Sequence, residues 1–447
     1  MSRTQRLVLV ASILGSFVAF LDMAVVNVAL AAIRADLGGG LAAQQWIVDA
    51  YLLTLGSLIL IAGSVSDLFG RKRVFAGGLV GFAAASVLCA AAPGVTTLIV
   101  ARALQGVAGA LLVPSSLALI IANFDDSAQG AAIGSWTAWT GISFIVGPLV
   151  GGALVDVGSW RWVFAINLLP IAVTLLVLAR LPREPRADDR NRVDLVGAIL
   201  CALGLGGIIF ALIEHPARGW GAPEIFLSLA GGIVAFAAFV AYERRIRHPM
   251  LDLGLFRNRN FAAGNLATVA VYAGLTASSF LITVFLQQVA GYRATAAGLA
   301  MLPITILMFA LSPLFGRLSA KHGPRLFMTA GPMVAAAGFV LMSRLQLPLR
   351  YPRDLLPGVL VFGVGLSMTV APLTAAILAD IDQRHAGVGS AINNAVARVA
   401  GLLAVAGLGT LGDASLTWFR RGLWSIAALL LLGGLISLVG IRDRPEK

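Results

Sequence analysis

Residues 63–73 read GSVSDLFGRKR and residues 316–325 read GRLSAKHGPR. Gly63 and Gly70 of the first stretch recur as Gly316 and Gly323 of the second, at a single offset of 253 residues. Working outward from the pair, apolar runs that read as membrane helices lie near 7–32, 44–66, 74–92, 96–121, 129–153, 160–180, 194–213, 223–242, 261–288, 295–318, 326–344, 354–378, 386–411 and 419–440. Fourteen runs put both termini on one side of the bilayer. Two stretches read as linkers: 181–193, with Pro182, Pro185, Asp188 and Asp189, and the charged 243–259, with Pro249. They divide the helices six, two and six, and each copy of the repeat closes the second run of its six-helix half. Halves of like topology imply parallel repeats related by an axis along the membrane normal, with the substrate path between them.

Composition agrees. Of 447 residues, 59% are hydrophobic and 12% charged, with a mean hydropathy of +0.90. A water-soluble domain carries roughly 25% charged residues, so a soluble enzyme or nucleic-acid binder is excluded. If each span takes about 22 residues, the loops average near nine, and no room remains for a separate soluble domain. The net charge of +12 sits mostly at the ends of apolar runs, where lipid headgroups lie, and not on a nucleic-acid-binding face. Loops on the side of the termini hold 22 Lys and Arg against 9 on the other, which predicts cytoplasmic termini. Arg344, Arg350 and Arg353, between helices 11 and 12, run against that rule. Arg3 and Arg6 before an apolar run imitate a signal peptide, but the run continues past Asp22 and Asn27 and many spans follow, so it reads as an uncleaved first helix. Cys89 and Cys201 lie inside apolar runs and read as packing residues. His215, His248, His322 and His385 are scattered over loops, so no metal cluster or triad is expected. A P-loop is absent, which leaves the proton gradient as the energy source and predicts no cofactor.

Ionisable residues inside a bilayer are costly and mark function by default. Clear of the helix ends there are four: Asp22, Asp49, Arg102 and Arg398. Counting from outer helix ends near 31, 44 and 96 at about 1.5 Å per residue, Asp22 lies roughly 13 Å deep, and Asp49 and Arg102 roughly 8 to 9 Å. Three helices thus bring charge to a similar level of one bundle. A carboxylate in a dry cleft beside an arginine can gain or lose a proton when either influence changes. Asp22 reads as the proton carrier, Arg102 as its tuning partner and Asp49 as a second acid or cation contact. The competing reading is a fixed Asp22–Arg102 pair that only holds two helices in register.

Taken together the motifs resemble the major facilitator superfamily, and within it the fourteen-helix drug:proton antiporters. The loop after helix 2 carries Gly63, Asp67, Gly70, Arg71 and Arg73, and helix 4 carries Arg102, Gln105, Gly106 and Gly109. Helix 5 carries Gly141, Gly147, Pro148, Gly151 and Gly152, helix 1 shows LDMAVVNVAL at 21–30, and helix 6 opens WRWVFAIN at 160–167. The resemblance covers essentially the whole chain. It implies an all-α membrane fold with two pseudo-symmetric six-helix bundles, 1–181 and 259–447, joined by a 182–258 segment holding two extra transmembrane helices. It also implies a gate latch at Asp67 and Arg71, and an antiporter role for the helix 5 set. Without the family, the loop could merely set topology and the glycines merely allow close helix packing. The repeat copy has Ala320 where the first has its acid, so only the first latch is expected to be charged.

For the substrate cavity, Asn393, Asn394 and Arg398 lie on helix 13, with Asn394 and Arg398 on one face. Some relatives carry acids in this region where this chain has amides. The four buried charges sum to zero, so neutral or monocationic substrates fit at least as well as dications. Asn27, Asn265, Gln287 and Gln288 could supply hydrogen bonds, and Phe17, Phe20, Trp136, Trp139 and Phe285 an aromatic lining, with structural bonding and core packing as the plain alternatives. The expected activity is export of amphipathic drug-like or antibiotic molecules in exchange for protons by alternating access, by a monomer in the bacterial inner membrane. A lipid or dedicated metabolite exporter is the first alternative, and a non-transporting receptor or scaffold the second. Richness in Ala, Gly and Arg over Lys suggests a high-GC bacterial source.

Overall fold

A computed structural model describes residues 1–182, 193–246, 249–379 and 386–443. Among them fourteen helices are long and apolar enough to cross a membrane, and no residue is in a strand. They are α1 (Arg3–Leu37), α2 (Leu41–Phe69), α3 (Arg71–Ala90), α4 (Val95–Asn123), α5 (Ala128–Val157), α6 (Trp162–Ala179), α7 (Leu195–Arg218), α8 (Pro223–Glu243), α9 (Arg259–Gln288), α10 (Ala294–His322), α11 (Pro324–Met342), α12 (Leu356–Ile377), α13 (Val388–Leu411) and α14 (Leu416–Gly440). Every expected span is present. Several run a turn past the apolar stretch, because helix geometry continues through the headgroup layer, where charge is tolerated. In α1 the start is set by a capping box: Ser2 Oγ accepts from Gln5 N at 3.1 Å, and Gln5 Oε1 accepts from Ser2 N at 2.8 Å. The linker expected over 181–193 lies, between 183 and 192, outside the described residues. The other contains a 3-10 turn, Leu253–Arg257.

The repeat is a backbone device. Gly70, between α2 and α3, and Gly323, between α10 and α11, have φ of 92° and 83°, a region that favours glycine. Each lets one membrane helix end and the next begin within a single residue.

The chain clusters into two compact units. Unit 1 comprises Met1–Ile208, Leu227–Met250 and Arg293–Thr295; unit 2 comprises Ile209–Phe226, Leu251–Tyr292 and Ala296–Lys447. In unit 1 small residues bring helices close. A Cβ on Gly106 of α4 would lie 2.1 Å from Thr54 Oγ1 and 2.3 Å from the Tyr51 carbonyl of α2, so only glycine allows this approach. At the same crossing Thr54 Oγ1 donates to the Ala103 carbonyl at 2.8 Å. The helix α5 breaks at Ile142, between the segments Asp126–Gly141 and Ser143–Val157. Gly141 borders the break, and Pro148 cannot donate to the Phe144 carbonyl. The extra helices α7 and α8 meet where Gly204 lies against the Phe236 backbone and Gly207 against Gly232. In unit 2, α9 is the most buried helix; α11 and α12 approach through Gly331, Gly338, Gly358 and Gly365.

Candidate functional site

Five helices of unit 1 converge on Asp22. Its carboxylate is fully buried in α1. Asp22 Oδ2 accepts from Arg102 Nη1 of α4 at 2.5 Å, and Oδ1 accepts from Gln105 Nε2 and Asn167 Nδ2 at 2.9 Å each. Arg102 also donates to Gln105 Oε1 at 2.6 Å and, through Nε, to the Ile47 carbonyl of α2 at 3.0 Å. Its guanidinium lies 4.4 Å from the centre of the Tyr51 ring, a cation–π contact strengthened by desolvation. Ser86 of α3 accepts from Gln105 at 3.0 Å and from Asn167 at 3.4 Å. The charges cancel, and both are hydrogen-bonded on several sides, which is the condition under which a buried ion pair persists.

Asp49 stands apart. It is fully buried in α2, and among the described residues neither carboxyl oxygen has a hydrogen-bond partner. It shares a stripe with Leu53 and Ser57, each four residues on, and that stripe turns toward α7. A Cβ on Gly206 would meet Leu53 at 3.6 Å, and the Cys201 thiol lies against Ser57. The structure therefore joins Asp22 to Arg102 and leaves Asp49 outside the network.

On α1, Phe17, Phe20 and Asn27 fall on one half-buried face, turned away from Asp22. Phe20 contacts Phe144 of α5, with ring centres 5.9 Å apart. Trp136 is buried and its Nε1 donates to Ser16 Oγ at 3.1 Å, whereas Trp139 is 56% exposed. Of the helix 5 glycines, Gly147 and Gly151 pack against α1: a Cβ on Gly147 would lie 2.4 Å from Ala24 Cβ, and one on Gly151 would lie 3.0 Å from Val25 Cβ. Gly152 lies against the backbone of Ala294 and Thr295, residues of unit 1. Asp67 at the end of α2 pairs with Arg71 across the Gly70 turn at 3.3 Å, and Arg71 Nη1 reaches the Ala118 carbonyl at 3.4 Å. Arg73 is exposed and a Cβ on Gly63 would meet nothing.

In unit 2, Asn393 Nδ2 donates to Thr268 Oγ1 at 2.8 Å and to Asn265 Oδ1 at 3.2 Å, tying α13 to α9. Among the described residues Asn394 bonds only within its own helix, to the Ser390 carbonyl at 3.1 Å. Arg398 is half-buried within electrostatic reach of Tyr272. Gln287 and Gln288 are half-buried at the end of α9, and Phe285 is core, stacked on Phe419 at 3.8 Å. A carboxylate does reach the second copy of the repeat: Asp443 Oδ1 accepts from Arg325 N at 3.0 Å, capping α11 beside Gly323. Sequence reasoning missed Asn167 and Ser86 as partners in this network, since around Asp22 it weighed ionisable groups only. A buried amide in the otherwise apolar run 160–180 was the available signal.

A profile of the Major Facilitator Superfamily matches residues 12–405, and the chain belongs to that superfamily. It is 36% identical over 395 residues to the puromycin resistance protein pur8 of Streptomyces alboniger, covering 87% of this chain and 78% of the relative. It is 38% identical over 403 residues to the probable actinorhodin transporter of Streptomyces coelicolor, covering 88% and 69%. Among solved structures, the peptide transporter POT in complex with sulfate superposes with a TM-score of 0.73 at 18% identity over 97% of this chain and 94% of that one. The chain is thus a multi-pass membrane transporter of small molecules, not an enzyme.

Proposed function

We propose that this secondary active exporter expels amphipathic drug-like or antibiotic molecules in exchange for protons, and that Asp49 carries the proton while Asp22, Arg102, Gln105 and Asn167 form a fixed anchor. One observation carries the assignment: among the described residues Asp49 is a buried carboxyl with no donor, and Asp22 has three. An isolated buried carboxylate is costly and a neutral acid far less so, so Asp49 is stable here only with its proton. Opening α2 to water would release it. The Asp22 cluster is hydrogen-bonded within one bundle, so the same opening leaves its bonds in place.

Phe17, Phe20 and Asn27 share α1 with this anchor on the opposite face, and Arg102 ties the anchor to the Ile47 carbonyl of α2, so a shift of α1 passes to the helix that carries Asp49. The amide-rich α9–α13 contact favours neutral or monocationic substrates. The helix α7 packs on the same stripe at Leu53 and Ser57, which supports a role for the extra helices in keeping water from the proton site. Loop charges support cytoplasmic termini, and bacterial relatives support the inner membrane; a monomer suffices, with bundles 1–181 and 259–447 joined by the segment 182–258. One proton moving across about 150 mV releases about 3.5 kcal/mol, which sustains a few-hundred-fold gradient of a neutral solute.

The test is dye efflux from proteoliposomes with an imposed pH gradient, using one neutral, one monocationic and one dicationic dye. Asp49→Asn is expected to abolish gradient-driven efflux while leaving dye binding within about threefold, because one neutral group replaces another. An Asp49→Asn protein that still concentrates dye against its gradient overturns the assignment.

A further inference from the structure

Arg344, Arg350 and Arg353 lie on the side of the membrane where Lys and Arg are scarce in this chain. In unit 2, α11 ends at Met342 and α12 begins at Leu356, with a helical turn, Tyr351–Asp354, between them. There the chain forms a half-open cavity of about 280 Å³ lined by Arg344, Arg353, Asp354, Leu341, Leu345 and Pro357. Both arginines are exposed, and among the described residues neither guanidinium has a partner. Neighbouring arginines are tied down: Arg420 donates to the Leu345 carbonyl at 2.8 Å and Arg421 to that of Leu411 at 3.2 Å. Asp354 Oδ2 accepts from Arg350 N at 2.8 Å, so this carboxylate caps the turn. Two guanidiniums against one carboxylate leave the cavity with one net positive charge.

The apolar side of the cavity continues toward lipid. Leu341 is 40% exposed, as is Leu360 one turn into α12. Guanidinium forks match phosphate oxygens two by two, and a helix end is where a headgroup phosphate lies. We propose that this cavity is a binding site for the phosphodiester of an anionic phospholipid of the phosphatidylglycerol type, with glycerol and upper acyl chain against Leu341, Leu345 and Pro357. A single net charge suits a phosphodiester monoanion. The leaflet, though not the site, rests on the orientation proposed above: with cytoplasmic termini it is the outer one.

The test is native mass spectrometry of the full-length, delipidated protein with dioleoylphosphatidylglycerol, dioleoylphosphatidylcholine or inorganic phosphate added. Wild type should retain phosphatidylglycerol at least fivefold over phosphatidylcholine. Arg344→Gln with Arg353→Gln should bring that ratio to about one, and the Lys,Lys variant should recover part of it. The control, Arg244→Gln with Arg245→Gln at exposed positions elsewhere, should leave it within twofold. Equal retention of both lipids by wild type, an unchanged ratio in the Gln,Gln variant, or an equal loss in the control each overturns the site. Displacement of the lipid by millimolar inorganic phosphate overturns the lipid reading in favour of a free-anion site; failure to displace supports it. Orientation is read separately. Leu347→Cys should react in intact cells with an impermeant maleimide, since Cys89 and Cys201 are buried; labelling only after permeabilisation reverses the leaflet and leaves the binding result standing.

Discussion

Neutralising both members of the Asp22–Arg102 pair should harm the protein less than neutralising either one. The two side chains are 0% and 2% exposed, so solvent cannot screen a charge left alone. Stranding one is worth about 3–5 kcal/mol. Asp22→Asn does so for Arg102 and also turns an amide N–H toward the donors of Gln105 and Asn167, each unsatisfied donor adding about 1–3 kcal/mol. Arg102→Gln strands Asp22 instead. In the double variant an amide faces an amide, no charge remains, and the deficit should fall below the sum of the singles by at least about 2 kcal/mol, within the range for coupled neighbours. The assay is thermal unfolding of the detergent-purified protein, followed by dye efflux from proteoliposomes. A double variant as unstable as the sum of its singles would refute the coupling. A stable double variant that still pumps identifies the pair as an anchor; a stable one that binds dye but no longer responds to pH assigns the proton to Asp22 and removes it from Asp49.

Gly147→Ala should lower transport through crowding of α5 on α1, since the added Cβ would stand 2.4 Å from Ala24 Cβ. Ala24→Gly in the same chain should restore it, and failure of that rescue would show that the glycine acts elsewhere. Asp443→Ala removes the cap on α11, at most about 1 kcal/mol for an exposed cap. It should raise amide hydrogen exchange at the start of α11 and leave α3 unchanged; unaltered exchange at both would mean that the Asp443 contact adds nothing in solution.

Much of the fold was legible because the bilayer makes the rules strict. Each span must be helical and apolar for about 20 residues, so run length alone located fourteen helices, and the paired Gly70 and Gly323 marked the repeat that their positive φ values explain. Rotation about the helix axis was not legible. In α1, buried residues occur on most faces and apolar side chains surround Asp22, so no stripe distinguishes the side facing Arg102 from the side carrying Phe17, Phe20 and Asn27. Depth counting put Asp22, Asp49 and Arg102 at similar levels, and the expected pairing of Arg102 with Asp22 became a hydrogen bond, with Asp49 outside it, only once azimuth was known.

Sequence by itself therefore determined the membrane class, the helix count, the six-two-six order and the short roll of charges worth watching. Only the tertiary structure decided that Gln105, Asn167 and Ser86 complete the Asp22–Arg102 network, that Asp49 has no donor among the described residues, and that Asp443 reaches back across 118 residues to cap α11. Hydropathy is a sum along one helix and is blind to its azimuth. Hydrogen bonds between helices depend on azimuth and on glycine-set approach distance, and packing sets both.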